Sequence, residues 1–389
     1  MRKSVLFCIS LILLSCICLV VYQFTTRPNK LTTSPAPNST PIPSTQQPHF
    51  EDDNTSFRTE RTRLHQFIVD KLSGNFGVYT NLIDTGQSDE VATGHEILSE
   101  SAGLLMRYYA LTEQKEAFER EWHKAKQNFD LKTGFSYRFS PKQNKKYTLN
   151  AAVDDLRIVR ALYEAGAQFH DEQYSQEAAS YATRFFQYNV KEHRLYDFYD
   201  ETYQMTNSFI TLCYVNFSVL EQLPDPNGQV QALQSNMLQI VQNGYLSDQF
   251  PFYQTRYSYE QKAYQSDQIN TVESLLTILS LAEIKQQKPE SIQYIKKHVK
   301  SGTLYGRYSQ EGKQTTDIQS TAIYAITAII GAQIGDDTLY QDSIQRMNQF
   351  VVQDATSSLY GGYGDPATGQ AYSFDNLMAL LAYVYLNNN

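Results

Sequence analysis

The feature that most constrains this chain is a sixfold internal repeat. Six times a turn, usually built on glycine and an aromatic residue, leads through a polar stretch to an acidic or amide residue that opens an apolar helix. The openings fall at Glu100, Asp155, Asn207, Asp267, Asp317 and Asp375, at intervals of 55, 52, 60, 50 and 58 residues. A unit of this length cannot bury its apolar face alone, so neighbouring units must stack on one another. Between the openings lie second helices, such as Lys115 to Phe129 and Ser175 to Tyr188, with apolar residues on one face and charges on the other. The helices that follow the openings are apolar nearly all round, as in residues 321–330 (TAIYAITAII). A helix of that kind is buried on every side. One buried and one amphipathic helix per repeat predicts an all-α fold, an (α/α)6 toroid with six inner and six outer helices.

In such a ring every inner helix starts at the same end, so the opening residues line one depression, and five of the six are carboxylic acids. Helix capping accounts for some of them, because Asp and Asn accept an orphan backbone N–H and suit the positive end of the helix dipole. Asn207, Asp317 and Asp375 fit that role. Glu100 does not, since Glu is a poor cap and Ser99 stands just before it. At Asp155 the neighbouring Asp154 offers a second carboxylate. Convergent acids suit glycoside hydrolysis, which needs a protonated carboxyl to donate to the leaving oxygen and an ionised one to activate water or attack. A general acid also needs a raised pKa, from burial or a neighbouring carboxylate.

Other chemistries fit less well. His95 and Glu96 begin like the HExxH zinc motif, but Ser99 stands where the second His is required. There is no G-x-S-x-G elbow, no phosphate loop, and no metal or cofactor is expected. His95, beside the acids, is expected to position substrate. The net charge of −8 excludes nucleic acid as the natural partner. With 29 Tyr and 20 Phe against one Trp, rings are plentiful for core packing and for stacking on sugars.

The N-terminus is of a different kind. Arg2 and Lys3 precede an apolar run from Val5 to Tyr22, long enough to cross a ~30 Å hydrocarbon core. A stretch rich in Pro, Ser and Thr follows from Thr32 to His49 and reads as an extended stalk. The expected organisation is a single-pass signal anchor at 1–25, a linker at 26–52 and an extracellular catalytic domain at 53–389. The run Leu13 to Cys16 (LLSC) offers the alternative of a lipid anchor at Cys16. Beyond these segments only Cys213 remains, so no disulfide holds the domain together.

Three patches resemble glycoside hydrolase family 8, whose members share an (α/α)6 fold. Residues 99–106 (SESAGLLM) look like the family's S-E-G-x-G-Y-G-M, whose Glu is the general acid. The run from Ala151 to Ala165, with Phe169 after it, is similar to the A-[ST]-D-[AG]-D signature and its helix. Tyr264 to Ile269 (YQSDQI) looks like the segment around the catalytic base. The resemblance implies Glu100 as general acid and Asp267 as general base of an inverting mechanism. Asp154, Asp155, His95, Glu96, Tyr264, Asp317 and Asp375 are then the expected substrate-binding residues. Departures are visible: Val153 replaces the first Asp of the signature, Leu104 and Leu105 replace Tyr and Gly, and Asn270 stands where an Arg usually follows the base. The implied activity is endo-hydrolysis of a bacterial exopolysaccharide, by an enzyme associated with the membrane and with exopolysaccharide synthesis machinery. Two alternatives are a polysaccharide lyase on a similar toroid and a non-catalytic polysaccharide-binding toroid.

Overall fold

The computed structural model describes residues 55–86, 91–225 and 228–385. The anchor and stalk expected at 1–25 and 26–52 lie outside the described residues. No helix among the described residues is long and apolar enough to cross a membrane.

Among the described residues, twelve helices alternate between two rings. The outer set is α1 (Thr55–Asp70), α3 (Lys115–Phe129), α5 (Glu172–Asn189), α7 (Val230–Asn243), α9 (Pro289–Ser301) and α11 (Asp337–Met347). The inner set is α2 (Ser99–Leu111), α4 (Ala152–Gln168), α6 (Phe217–Leu220), α8 (Thr271–Glu283), α10 (Thr321–Gln333) and α12 (Ser373–Ala382). Inner helices pack on their neighbours in order, and α12 returns to α2, so the ring closes. Composition explains the division. In α10 every residue from Thr321 to Ala332 is buried, whereas α9 buries only Ser291, Ile295 and Val299 on one face. Local signals set the ends: Asp171 caps α5, Asp336 caps α11, and Gly302 ends α9 in the left-handed conformation (φ 67°).

Repeat three departs from expectation. Asn207 opens no helix; its side chain accepts from the Asp197 amide and donates to the Phe209 carbonyl. The apolar residues after it form a strand, β10 (Phe209–Thr211), paired in register with β11 (Arg256–Ser258), which also pairs with β12 (Ala263–Gln265). Phe, Ile and Thr in succession favour a strand over a helix start. A single 3-10 turn (Leu212–Tyr214) and the four-residue α6 complete this segment of the ring.

The two ends of the toroid differ. Connections leaving inner helices are tight, as at Thr112 to Gln114 and Ile334 to Asp336. Connections entering them are long and carry the short ribbons, including β3 (Ile97–Leu98) with β4 (Arg138–Ser140), β8 (Tyr199–Asp200) with β9 (Met205–Thr206), and β13 (Ile269–Asn270) with β14 (Arg307–Tyr308). These connections therefore gather at the end of the ring where the inner helices begin. At the far end buried charges close the ring. Arg107 donates to both Glu164 oxygens (2.9 Å each) and to Tyr385, Arg160 bridges Glu164 (3.0 Å) and Glu283 (2.6 Å), and Ser218 donates to Glu283 (2.8 Å).

Candidate active site

The centre of the site is built by α2 and α4. Leu98, extended at the end of β3, delivers the chain into α2, where Glu100 is the second residue. Neither Glu100 nor Ser99 caps this helix; the Ser99 hydroxyl donates to the Tyr137 carbonyl instead. Gly103, one turn on, lets α4 approach closely, since a Cβ there would lie 3.0 Å from the Cβ of Arg157. Arg157 Nη1 then donates to Glu100 Oε2 (2.9 Å) and to Asp154 Oδ1 (2.5 Å). Glu100 is only 1% exposed, and its Oε1 has no hydrogen-bond partner among the described residues.

Electrostatics follow from that burial. Loss of hydration raises the Glu100 pKa to about 7, with the Asp154 charge adding to the rise and Arg157 opposing it. Asp154 is raised for the same first reason and is likewise held down by Arg157. One cation is shared by two buried carboxyls, so the pair keeps a proton near neutral pH. A proton held at that pH suits a group that must give it up in the reaction.

The structure separates the adjacent acids Asp154 and Asp155. Asp155 points into the scaffold, where it accepts from the Phe135 amide (3.2 Å) and from Asn150 Nδ2 (2.8 Å). Gly134 makes room for it, because a Cβ there would lie 2.3 Å from Asp155 Oδ2. Asp154 is therefore the member of the pair beside Glu100. Glu96 is also taken up by scaffold, accepting from the Thr93 amide (3.0 Å) and facing Arg138 at 3.6 Å. His95 stacks on Tyr79 with ring centroids 3.9 Å apart, and its Nε2 lies 3.0 Å from the Leu82 carbonyl.

The other expected residues are more dispersed. Asp267 is exposed in the link between β12 and β13, with no hydrogen bond or ion pair to its carboxylate among the described residues. It does not open α8; Asn270 does, by accepting from the Val272 and Glu273 amides. Tyr264 donates to the Ile240 carbonyl (2.6 Å) and packs against Tyr257. Asp317 is exposed before α10 and accepts from Gln314. Asp375 caps a helix other than its own: from the third position of α12 it accepts the Ala322 amide of α10 (2.9 Å).

Two residues of the site escape the sequence reading. Arg157 is visible only as a cation three positions after Asp154, on the same helix face. Glu273, the third residue of α8, is half-buried with its pKa raised to about 7 by burial, against the pull of Arg256 and Arg307. The Asn270–Glu273 spacing, a cap followed three residues later by Glu, was the signal for it.

No protein-family model matches the chain. In sequence it is 29% identical over 325 residues to "Putative lipoprotein YdaJ" of Bacillus subtilis (strain 168), across 81% of this chain and 84% of that protein. In fold it resembles a GH8 enzyme of Teredinibacter turnerae seen in complex with xylobiose (TM-score 0.64, 12% identity, 86% of this chain and 94% of that one). A Clostridium perfringens protein described as a novel alpha-amylase superposes with a TM-score of 0.78 at 30% identity, over 84% of this chain and 97% of that one. The chain belongs with glycoside hydrolase family 8, as a distant member. This family 8 enzyme hydrolyses O-glycosyl bonds, and its Glu100, Arg157 and Asp154 meet near the N-terminal ends of the neighbouring inner helices α2 and α4.

Proposed function

We propose that this hydrolase is endo-acting and inverting, with Glu100 as general acid and Asp267 as general base. The observation that carries the proposal is Glu100: buried, its pKa raised to about 7 by lost hydration, with one oxygen pinned by Arg157 and the other without a partner among the described residues. In the reaction that second oxygen passes its proton to the glycosidic oxygen as the bond to the anomeric carbon breaks. Water attacks the same carbon from the opposite face, and Asp267 takes the water's proton. Arg157 stays hydrogen-bonded to Glu100 as it becomes a carboxylate, and Asp154 holds Arg157 in place.

The proposed substrate is a bacterial exopolysaccharide, cleaved outside the cell. The apolar N-terminal run and the stalk support an extracytoplasmic domain tethered to the membrane. The name of YdaJ favours a lipid at Cys16 over a retained helix as the tether. A second substrate reading, an α-glucan, is favoured by the description of the Clostridium perfringens relative.

The test incubates the full-length chain in detergent with exopolysaccharide extracted from its source organism and, separately, with amylose. New reducing ends are counted, and the configuration of the fresh anomeric centre is followed by proton NMR. Cleavage with inversion, abolished by both Glu100→Gln and Asp267→Asn, is expected. Retention of configuration would remove Asp267 as general base, and unsaturated ends would identify a lyase.

A further inference from the structure

Among the described residues, seven large apolar side chains stand well exposed, and six of them lie in the connections that enter inner helices: Phe76, Ile83, Tyr203, Met205, Ile318 and Tyr360. Only Val69 lies elsewhere, on α1. Single exposed hydrophobics scattered over a surface need no explanation, but a bias to one end of the molecule does. The extreme cases are neighbours at one hairpin tip: Tyr203 is 74% exposed and Met205 49%.

That hairpin, β8 to β9, is braced. Asp200 Oδ1 accepts from the amides of Thr202 (2.8 Å) and Tyr203 (3.1 Å), so the backbone that carries the ring is fixed. The Thr202 hydroxyl donates to Thr148 (2.9 Å), and the Glu201 amide donates to the Thr148 carbonyl (2.9 Å). Glu201 Oε2 accepts from the Lys132 amide (3.1 Å) and the Thr133 hydroxyl (3.2 Å). The acids of the tip are thus used as struts, while the aromatic ring is left in water.

The hairpin also grows from the active-site scaffold. Asn150 donates to Asp155 (2.8 Å) and accepts from the Tyr199 amide (2.6 Å), and Asp155 is adjacent to Asp154 in the Glu100 cluster. Tyr203 follows Tyr199 by four positions and sits in the turn that joins the paired residues Asp200 and Met205. We propose that Tyr203, with Met205 beside it, is an outlying platform on which the polysaccharide chain stacks before or after passing Glu100. This rests on the hydrolase reading above and adds to it a subsite for the apolar face of a neutral sugar ring. A protein partner fits less well, since two side chains fall far short of the ~800 Å² per partner that a stable interface buries. Tyr and Thr at one tip instead offer a flat ring with hydroxyls around it, which matches a pyranose.

The test uses full-length chain in detergent, carrying Glu100→Gln so that the polymer survives, run through native gels containing the extracted exopolysaccharide. Tyr203→Ala is expected to weaken retardation about 2- to 10-fold, the worth of one aromatic contact, and Tyr203→Trp to restore it. In the active background Tyr203→Ala raises KM for the polymer by the same factor and leaves kcat on the shortest cleaved oligosaccharides unchanged. Equal retardation and equal polymer KM for the parent and Tyr203→Ala would overturn the platform while leaving the hydrolase reading standing. A parent that neither binds nor cleaves the polymer would overturn both for that substrate. Because Tyr203 is exposed, its replacement leaves the melting temperature within the range of ordinary surface changes.

Discussion

Replacing Glu100 with Gln should make the protein inactive and, above neutral pH, more stable. The carboxyl is buried, and its pKa rises from 4.5 to about 7 on folding, chiefly through lost hydration. Each unit corresponds to about 1.4 kcal/mol, so the shift is worth about 3 kcal/mol. The sign follows from the direction. A group with a raised folded pKa contributes its full stability below the unfolded value near 4.5 and loses it as pH climbs through the folded value near 7. Gln resembles the neutral carboxyl in shape and never ionises, so it does not incur this loss. The gap between variant and parent should be small at pH 4 and reach about 3 kcal/mol by pH 8. For a domain of this size that is a difference in melting temperature of about 5 °C. Calorimetry on both proteins across this pH range reads it directly, with all other titrating groups common to the pair. Over the same range kcat on the polymer falls by about 10²- to 10⁴-fold, the usual worth of a positioned acid. A gap that does not change with pH, or a Gln variant less stable than the parent at pH 8, would refute the reasoning. The carboxylate would then be the favoured form in the fold, Arg157 would outweigh burial, and Glu100 would be a poor proton donor.

Three further outcomes follow from the same geometry. Arg157→Met removes the cation shared by Glu100 and Asp154, so the alkaline limb of kcat/KM should move to higher pH and stability at pH 8 should fall by about 3–5 kcal/mol; an unmoved limb would show that Arg157 does not tune the acid. Asp375→Ala should lower stability by about 0.5–2 kcal/mol through the lost cap on α10, with Asp375→Asn largely neutral, both read by urea unfolding; equal losses in the two variants would count against the cap. Glu164→Leu leaves Arg107 buried without a carboxylate at the far end of the ring, Arg160 keeping Glu283, and should cost about 3–5 kcal/mol while leaving kcat/KM of the folded protein near the parent value; a specific loss of kcat would tie that network to catalysis.

The alternation of buried and amphipathic helices was legible because it is a periodicity, and periodicity survives without knowledge of contacts. The predicted span of α3, Lys115 to Phe129, matches the observed helix, and residues 321–330 form most of α10. Repeat three was misread because an apolar run of seven residues after Asn207 fits a strand as well as a helix, and only pairing with β11 decides between them. Glu100 stood out because Glu caps poorly, and the structure places it at the second position of α2, where it caps nothing and meets Arg157 instead. Arg157 was not legible, since nothing local distinguishes a cation that reaches across to α2 from one that faces solvent. Asp375 shows a further limit. It caps a helix, as its residue type suggests, but a neighbouring one, and the sequence carries no sign of which amide lies nearest in space.

The repeats become chemically intelligible once the helices are aligned by their first helical residue rather than by their first acid. The fourth residue then has one task in three repeats: Asp155 of α4, Ser274 of α8 and Asn376 of α12 each accept the amide of the aromatic residue in the preceding turn, Phe135, Tyr253 and Tyr363. The third residue of the same helices is an acid, Asp154, Glu273 or Asp375, whose pKa is raised by burial in every case. Glu100 breaks the register. It occupies the second position of α2, while Ser101 holds the third and bonds across the ring closure to Ser373 (3.0 Å). A one-residue offset on a helix turns a side chain by ~100°. That turn takes Glu100 out of line with the third-position acids and sets it against Arg157 of the next helix, with its Oε1 unpartnered among the described residues. Glu100 is thus out of step with the repeat in both position and partner, and Asp154 is the acid of the regular register that meets it on the same arginine.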